Sequence, residues 1–449
     1  MKFESAEQVE AFLNEAQIRS HKVAVTDVDG ILRGKSVSRE KFSSMLKSGF
    51  GFCDVVLGWD SNDALYDSAQ ISGYHTGYQD APVRLDISTI RRVPGEPDTL
   101  LTLGGFDGEH AQVCPRTVLH RVIQRAEALG FFPRGSFEYE FFVFDETPES
   151  VRAKGYRNLK PFTPGMFGYS MLRSGVHSEL HQELFEWMDV LEAPIEGLHT
   201  ETGPGVLEAA LAHAPLREAA DRASLFKTYA KVFFQKRKLM ATFMAKWNSE
   251  LPGQSGHFHL SLEDAQGKNL FFDSNTEKPN ELFRSFISGQ AALLPEFLPM
   301  VCSTINAYRR LVPGFWAPTH ATWGVENRTT ALRAIPAGPK GTRSEYRIGP
   351  ADANPYLVAA AALASGLYGI EHRLEVPPAQ GNAYLNPGQA PELPSELGDA
   401  TRRFEGSKVA REYFGDAFVD HFSTTRKWEV RCFQRHVADW DLSRYFEII

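Results

Sequence analysis

The stretch Phe137-Glu138-Tyr139-Glu140-Phe141-Phe142-Val143-Phe144 constrains this chain more than any other. Aromatic and β-branched residues, entered from Pro133 and Gly135 and left at Asp145, predict a β-strand. Strand side chains alternate with a period of two, so Glu138 and Glu140 share one face. Phe137, Tyr139, Phe141 and Val143 take the other face and can anchor it in a core. Neighbouring carboxylates on an apolar strand repel each other and are costly to bury unless something cationic lies between them. Such a strand either has one solvated face or lines a site for positive charge.

The rest of the chain predicts where that strand sits. A helix over residues 5–18 precedes a strand at 23–28, an Asp29-Gly30 turn and a returning strand at 31–35. An acidic, Gly-punctuated loop over 50–80 carries Asp54, Asp60, Asp63 and Asp67, and further strands are expected at 87–93 and 99–103. A boundary near 112–115 divides the chain into a small unit, 1–112, and a large one, 113–449. The large unit opens with a helix from Pro115, stopped by Gly130. More helices are predicted at 178–191, 215–239, 281–295 and 355–373, the last capped by Asn354, with strands at 206–212, 257–262, 329–335 and 344–348. A Pro/Gly-rich surface loop spans 375–395. The fold class is α+β.

A net charge of −8 without a basic tract argues against nucleic acid. Cys53, Cys114, Cys302 and Cys432 form no CxxC pair, which fits reduced thiols rather than a zinc site or disulfide frame. The start is not a signal peptide, and the longest apolar run, 356–370, is too short to span a bilayer. Those features predict a cytoplasmic protein with no membrane partner.

Other strands repeat the opening pattern. Glu201 and Glu208 flank a Gly-Pro-Gly turn; His257, His259 and Ser261 share one face, as do Arg343, Glu345 and Arg347. If these faces meet, hard oxygen donors with a histidine or two suit Mg²⁺ or Mn²⁺. Arg309, Arg310, Arg328 and Arg333 lie in and beside turns. Guanidinium groups interleaved with carboxylate-held divalent cations are what phosphoryl transfer requires. A Walker-type GxxxxGK[ST] is missing from the sequence.

Over nearly its whole length the chain resembles the glutamine synthetase family. Val25-Thr26-Asp27-Val28-Asp29-Gly30 with Arg33-Gly34-Lys35 looks like the family's β-grasp domain. The Glu-x-Glu, Glu-x₆-Glu, His-x-His-x-Ser, Arg-Leu-Val-Pro-Gly, Asn-Arg-x₄-Arg and Glu-x-Arg elements follow in family order, and Pro350 to Tyr356 completes the set. The resemblance implies a small β-grasp-like domain followed by a large catalytic domain built on a curved antiparallel sheet. It implies that Glu140, Glu201 and Glu208 hold one metal, and that Glu138, His257 and Glu345 hold a second. His259, Ser261, Lys340 and Arg343 match nucleotide-side positions. Arg328 and Arg333 match the arginines acting on the transferred phosphate, and Gly253, Arg310 and Arg347 match the glutamate site. ATP, glutamate, an amine and Mg²⁺ or Mn²⁺ are the implied partners. A dodecamer of two stacked hexameric rings is implied as well, with the 50–70 loop completing a neighbour's site.

Two departures bear on the amine. Where the family's flap reads Pro-Gly-Tyr-Glu-Ala-Pro, this chain reads Pro313-Gly314-Phe315-Trp316-Ala317-Pro318. An indole cannot accept a proton as that glutamate does, but its face can hold a cation or an alkyl group. The family's Phe-Asp-Gly-Ser-Ser loop is best matched by Tyr66-Asp67-Ser68-Ala69-Gln70, which leaves Asp67 as the acid beside the amine. The expected activity is therefore an ATP-dependent γ-glutamylamide ligase using an organic amine. The alternatives are a true glutamine synthetase using ammonium and a non-catalytic structural assembly.

Overall fold

The computed structural model describes residues 1–449 apart from 277 and 376. Among the described residues the first sheet is built from β1 (Ser20–Thr26), β2 (Leu32–Ser38), β3 (Phe50–Cys53), β4 (Asp80–Leu85), β5 (Arg91–Val93) and β6 (Glu96–Phe106). Its order is β2-β1-β6-β4-β3, with β5 also on β6. The β1–β2 turn forms because the Asp27 carboxylate accepts the backbone N–H groups of Asp29 and Ile31. Val9 and Leu13 from the Ala6–Glu15 helix pack with Phe42, Val23 and Leu100 in a small core of their own. Phe42 belongs to the Arg39–Ser48 helix, which the sequence reading did not place.

The second sheet contains β7 (Phe132–Phe144), β8 (Ile195–Thr200), β9 (Val206–Leu211), β10 (Ala214–Pro215), β11 (Met240–Thr242) and β12 (Gly256–Glu263). After a small hairpin, β13 (Phe272–Asp273) with β14 (Lys278–Pro279), it is completed by β15 (Trp323–Val325), β16 (Leu332–Ile335) and β17 (Arg343–Tyr346). The order is β15-β16-β17-β12-β7-β9-β8, antiparallel except for the β15–β16 edge pair, which is parallel. On the face away from the glutamates, Tyr139 and Phe141 stack against Phe226 and Phe243, so the Leu216–Lys236 helix covers that side.

The Pro355–Glu371 helix is apolar on nearly every side because it is buried on nearly every side, against the Glu281–Val301 helix. Their axes cross at glycines: a Cβ on Gly369 would lie 2.0 Å from the Ser285 carbonyl, and one on Gly289 would lie 2.1 Å from that of Ser365. No helix among the described residues is long and apolar enough to cross a membrane. Asn354 caps this helix by accepting the Tyr356 N–H, and its amide donates to the Val28 carbonyl, seating the β1–β2 turn on the helix end.

Some expected boundaries shift for local reasons. Of the strand expected at 87–93 only β5 forms, because Asp86 accepts the Ser88 N–H and turns the chain. Asn327 does the same to Thr329, so β16 begins at Leu332 rather than at 329. The 281 helix continues through Pro295 and Pro299 to Val301, since both prolines and the leucines around them are buried. Helices Leu397–Gly406, Lys408–Phe414, Asp416–Arg435 and Asp439–Tyr445 close the chain.

Candidate active site

The second sheet draws the candidate residues into one stripe through its register. Glu208 lies opposite His199 on β8 and opposite Glu140 on β7. Two residues along β7, Glu138 lies opposite His257 on β12; two further along β12, His259 faces Glu345 on β17, and Glu345 faces Arg333 on β16. Each step of two residues keeps the same face, so the polar side chains run diagonally across the sheet on the side away from the aromatic core.

Three sets of donors come within 4.8 Å of one another: Glu138, Glu208 and His257; Glu138, His259 and Glu345; and His199, Glu201 and Glu208. His257 Nδ1 is 3.6 Å from Glu138 and 3.5 Å from Glu345. Glu140 turns one oxygen to the Ser255 N–H at 2.7 Å and stays beside the stripe. His257 Nε2 and Glu201 Oε2 are buried without a hydrogen-bond partner. Orphaned donors of this kind in a carboxylate-rich cleft fit a divalent cation.

The electrostatics support the same fit. Burial, together with Glu140, Glu138 and Glu201, pushes the Glu208 carboxyl up to about 9. Burial and Arg347 push the His257 imidazole below its ordinary value, towards the neutral form that ligates metals. Burial would raise Glu345, but His257 and Arg347 outweigh it and hold it at about 2. Arg347 donates to one Glu345 oxygen at 2.5 Å and Arg333 to the other at 3.0 Å.

The residues expected on the nucleotide side line a cleft of about 260 Å³ that shares Glu138 with the stripe. His259, Ser261, Lys340 and Arg343 are all in its wall, and Arg343 Nε donates to His259 Nδ1 at 3.1 Å. That bond leaves the His259 Nε2–H facing Glu138, 3.3 Å away. Arg328 is exposed, with no hydrogen bond or ion pair among the described residues, whereas Arg333 is tied to Glu326 and Glu345.

On the far side of the stripe, Arg310 is buried and donates to the carbonyls of Ile348 and Arg347 and to the Ser255 hydroxyl. Gly253 lies against it: a Cβ there would come within 2.6 Å of the Arg310 side chain and 2.7 Å of the Ala245 carbonyl. Trp316 is 57% exposed and holds φ at +58°. Asp67 is not brought to this cleft within the chain. Its loop packs on the Asp416–Arg435 helix, with Asp67 paired to Arg431 and Asp60 accepting the Trp428 indole N–H. Asp63 is held by Arg33.

Sequence reasoning missed His199, which lies 3.7 Å from Glu201 and 3.6 Å from Glu208 and stacks on Tyr169. Its position on β8 two residues before Glu201, which follows the strand's end, is the available signal. It also missed Glu196, His213 and Arg134 in the cleft beside Glu138, which come from separate strands and loops and share no motif.

Comparison with known proteins bears on this geometry. The family described as "Glutamine synthetase, catalytic domain" matches residues 112–445. The chain is 47% identical to type-1 glutamine synthetase 2 of Dictyostelium discoideum over 95% of its own length and 84% of that protein. It is 35% identical to glutamate–isopropylamine ligase of a Pseudomonas species over 98% of both chains. A solved structure of apo GmaS without ligand aligns with a TM-score of 0.83 at 26% identity, over 97% of this chain and 99% of that one. A family match across most of the chain, with the carboxylate and imidazole stripe inside it, settles the lineage: the chain belongs to the glutamine synthetase family of carbon–nitrogen ligases.

Proposed function

We propose that this protein joins the γ-carboxyl group of glutamate to an organic amine at the expense of ATP. Trp316 carries the reading of the amine: an exposed indole stands in the flap where an ammonium-using relative needs an acid. The likeness to an isopropylamine ligase over the full length of both chains supports it.

Glu138, His257 and Glu345 would hold one divalent cation, and Glu140, Glu201 and Glu208 a second, Mg²⁺ or Mn²⁺ by the hardness of the donors. Bound there, the cations supply charge neutralisation at the phosphate oxygens. His259, Ser261, Lys340 and Arg343 seat the nucleotide. Gly253 lets the Arg310 side chain pack against the backbone, and Gly253, Arg310 and Arg347 would seat glutamate. A γ-carboxylate oxygen of glutamate attacks the terminal phosphorus and ADP leaves, while Arg328 and Arg333 stabilise the charge on the transferred phosphoryl group. The amine nitrogen then attacks the acyl carbon, gives up a proton and expels phosphate. Asp67 of an adjacent copy attracts the alkylammonium and takes its first proton, which frees the nitrogen lone pair for that attack, and the proton given up afterwards leaves with phosphate. That role requires a homo-oligomer, and stacked hexameric rings are the arrangement proposed. The division into units 1–112 and 113–449 follows the two sheets, one of which presents the acidic loop and the other the cation stripe.

The Dictyostelium relative favours a second reading, in which ammonium is the nucleophile. ATP- and glutamate-dependent phosphate release across ammonium, methylamine, isopropylamine, ethanolamine, putrescine and spermine separates the two. The proposal expects an organic amine to exceed ammonium in kcat/KM; the reverse order would replace it with the ammonium reading.

A further inference from the structure

Lys246 lies in none of the groups above, yet its side chain joins the segment before Gly253 to the Phe315 ring of the flap. Its backbone is fixed from two directions. The Asn306 side chain accepts the Lys246 N–H and donates to the Lys246 carbonyl, both at 2.8 Å. On either side in sequence, the Ala245 carbonyl accepts the Gln254 N–H, and Trp247 packs edge-on against Phe142 and Phe144 at the end of β7. The residue as a whole is 9% exposed. From that fixed base the ammonium donates to the Leu251 carbonyl, two residues before Gly253, and stands 4.9 Å from the centre of the Phe315 ring.

An ammonium over an aromatic face is attracted by the ring's quadrupole, more strongly where water is partly excluded. Phe315 is 41% exposed and has the strained Trp316 backbone next to it. Buried Ala317 and Pro318 anchor the flap's far end, while among the described residues its exposed part is held by this contact and by its own turn, Phe315 N–H to the Val312 carbonyl. We propose that Lys246 is a positioning residue for amine use: its ammonium, held by the Leu251 carbonyl, pins Phe315 and so sets where Trp316 stands over the incoming amine. The inference rests on the flap reading above, and it names the group that gives the flap its position.

Initial rates of the full-length K246M, K246R, F315L and K246M/F315L proteins test this, with the nucleophile wild type uses best, ammonium included. An amine panel on wild type judges the organic-amine reading; the variants judge Lys246 whichever nucleophile wins. Loss of one such contact corresponds to a rise in amine KM of roughly 2- to 30-fold. K246M and F315L should each show that rise, with kcat and the KM for ATP within about twofold of wild type. Because both variants break one contact, the double variant should be no worse than the poorer single one. K246R keeps the cation and a donor and should recover most of the loss. F315L keeps the proposal testable if K246M does not fold. An unchanged amine KM in F315L, multiplying effects in the double variant, or a lower kcat with every KM raised alike would each overturn it.

Discussion

At the scale of single residues, Glu208 and Trp316 carry the sharpest expectations. The Glu208 carboxyl is raised from 4.5 to about 9 by burial and by three neighbouring glutamates. The folded, metal-free protein then keeps a proton that the unfolded chain has released, so it loses stability as pH rises between those two values. A divalent cation in the stripe removes that penalty. Thermal melts in EDTA should fall from pH 6 to pH 8.5, Mg²⁺ should raise them most at the higher pH, and Glu208→Gln should flatten the EDTA slope. A pH-independent melt that Mg²⁺ leaves unmoved would mean that the stripe holds no cation. Glu140→Ala should abolish phosphate release with every amine, since activation of glutamate comes before choice of amine. Trp316→Glu should move kcat/KM towards ammonium by roughly 10- to 200-fold, the reach of a small-group discrimination. If wild type already prefers ammonium and Trp316→Glu changes nothing, the indole does not select the amine.

Strands and helices bring their own test and show where the sequence was readable. Gly369 meets the Ser285 carbonyl across the helix crossing, so Gly369→Leu should lower the melting temperature by many degrees or prevent folding; Gly381→Leu, in open space, should not. An equal melting temperature for the two would show that the crossing has slack. Period-two faces made the stripe legible: Glu138 with Glu140, His257 with His259, and Arg343 with Glu345 are all on sides that alternation assigns. Asn354 and Pro355 likewise announced a helix start. What stayed hidden depends on partners distant in sequence. His199 becomes part of the stripe only through pairing with β9, and Lys246 acquires meaning only beside Phe315, far along the chain. Pro295 and Pro299 mislead because burial of their surroundings outweighs the local cost of a missing N–H. The loop acids were readable as acids, but their engagement by Arg33, Trp428 and Arg431 was not.

Across the whole molecule, the Asp67 loop is fastened to the Asp416–Arg435 helix by Asp67–Arg431 and Asp60–Trp428, and Asp29 is paired with the buried Arg426 of the same helix. If that loop serves an adjacent copy, mixing inactive Asp67→Ala and Glu140→Ala proteins through dissociation and reassembly should restore a measurable fraction of activity. Mixtures as inactive as their parents would confine each site to one chain. Acid should also destabilise the fold. Burial holds His21 down at about 3, and burial with Arg426 holds His421 at about 4. As pH falls from about 6.5, the unfolded chain takes up protons that these imidazoles refuse, at a cost of about 1.4 kcal/mol per pH unit for each. Melts should therefore fall steeply below pH 6, and a flat profile to pH 4 would show both rings reach water. The diagonal stripe has a consequence for how such a gene can change length. Every donor on β7 and β12 owes its side to its place in the count, so deleting the Gly256 codon at the start of β12 would turn both imidazoles into the aromatic layer and Phe258 into the cleft. Natural insertions and deletions should therefore collect in stretches such as 375–395 and leave the interiors of those two strands at fixed length.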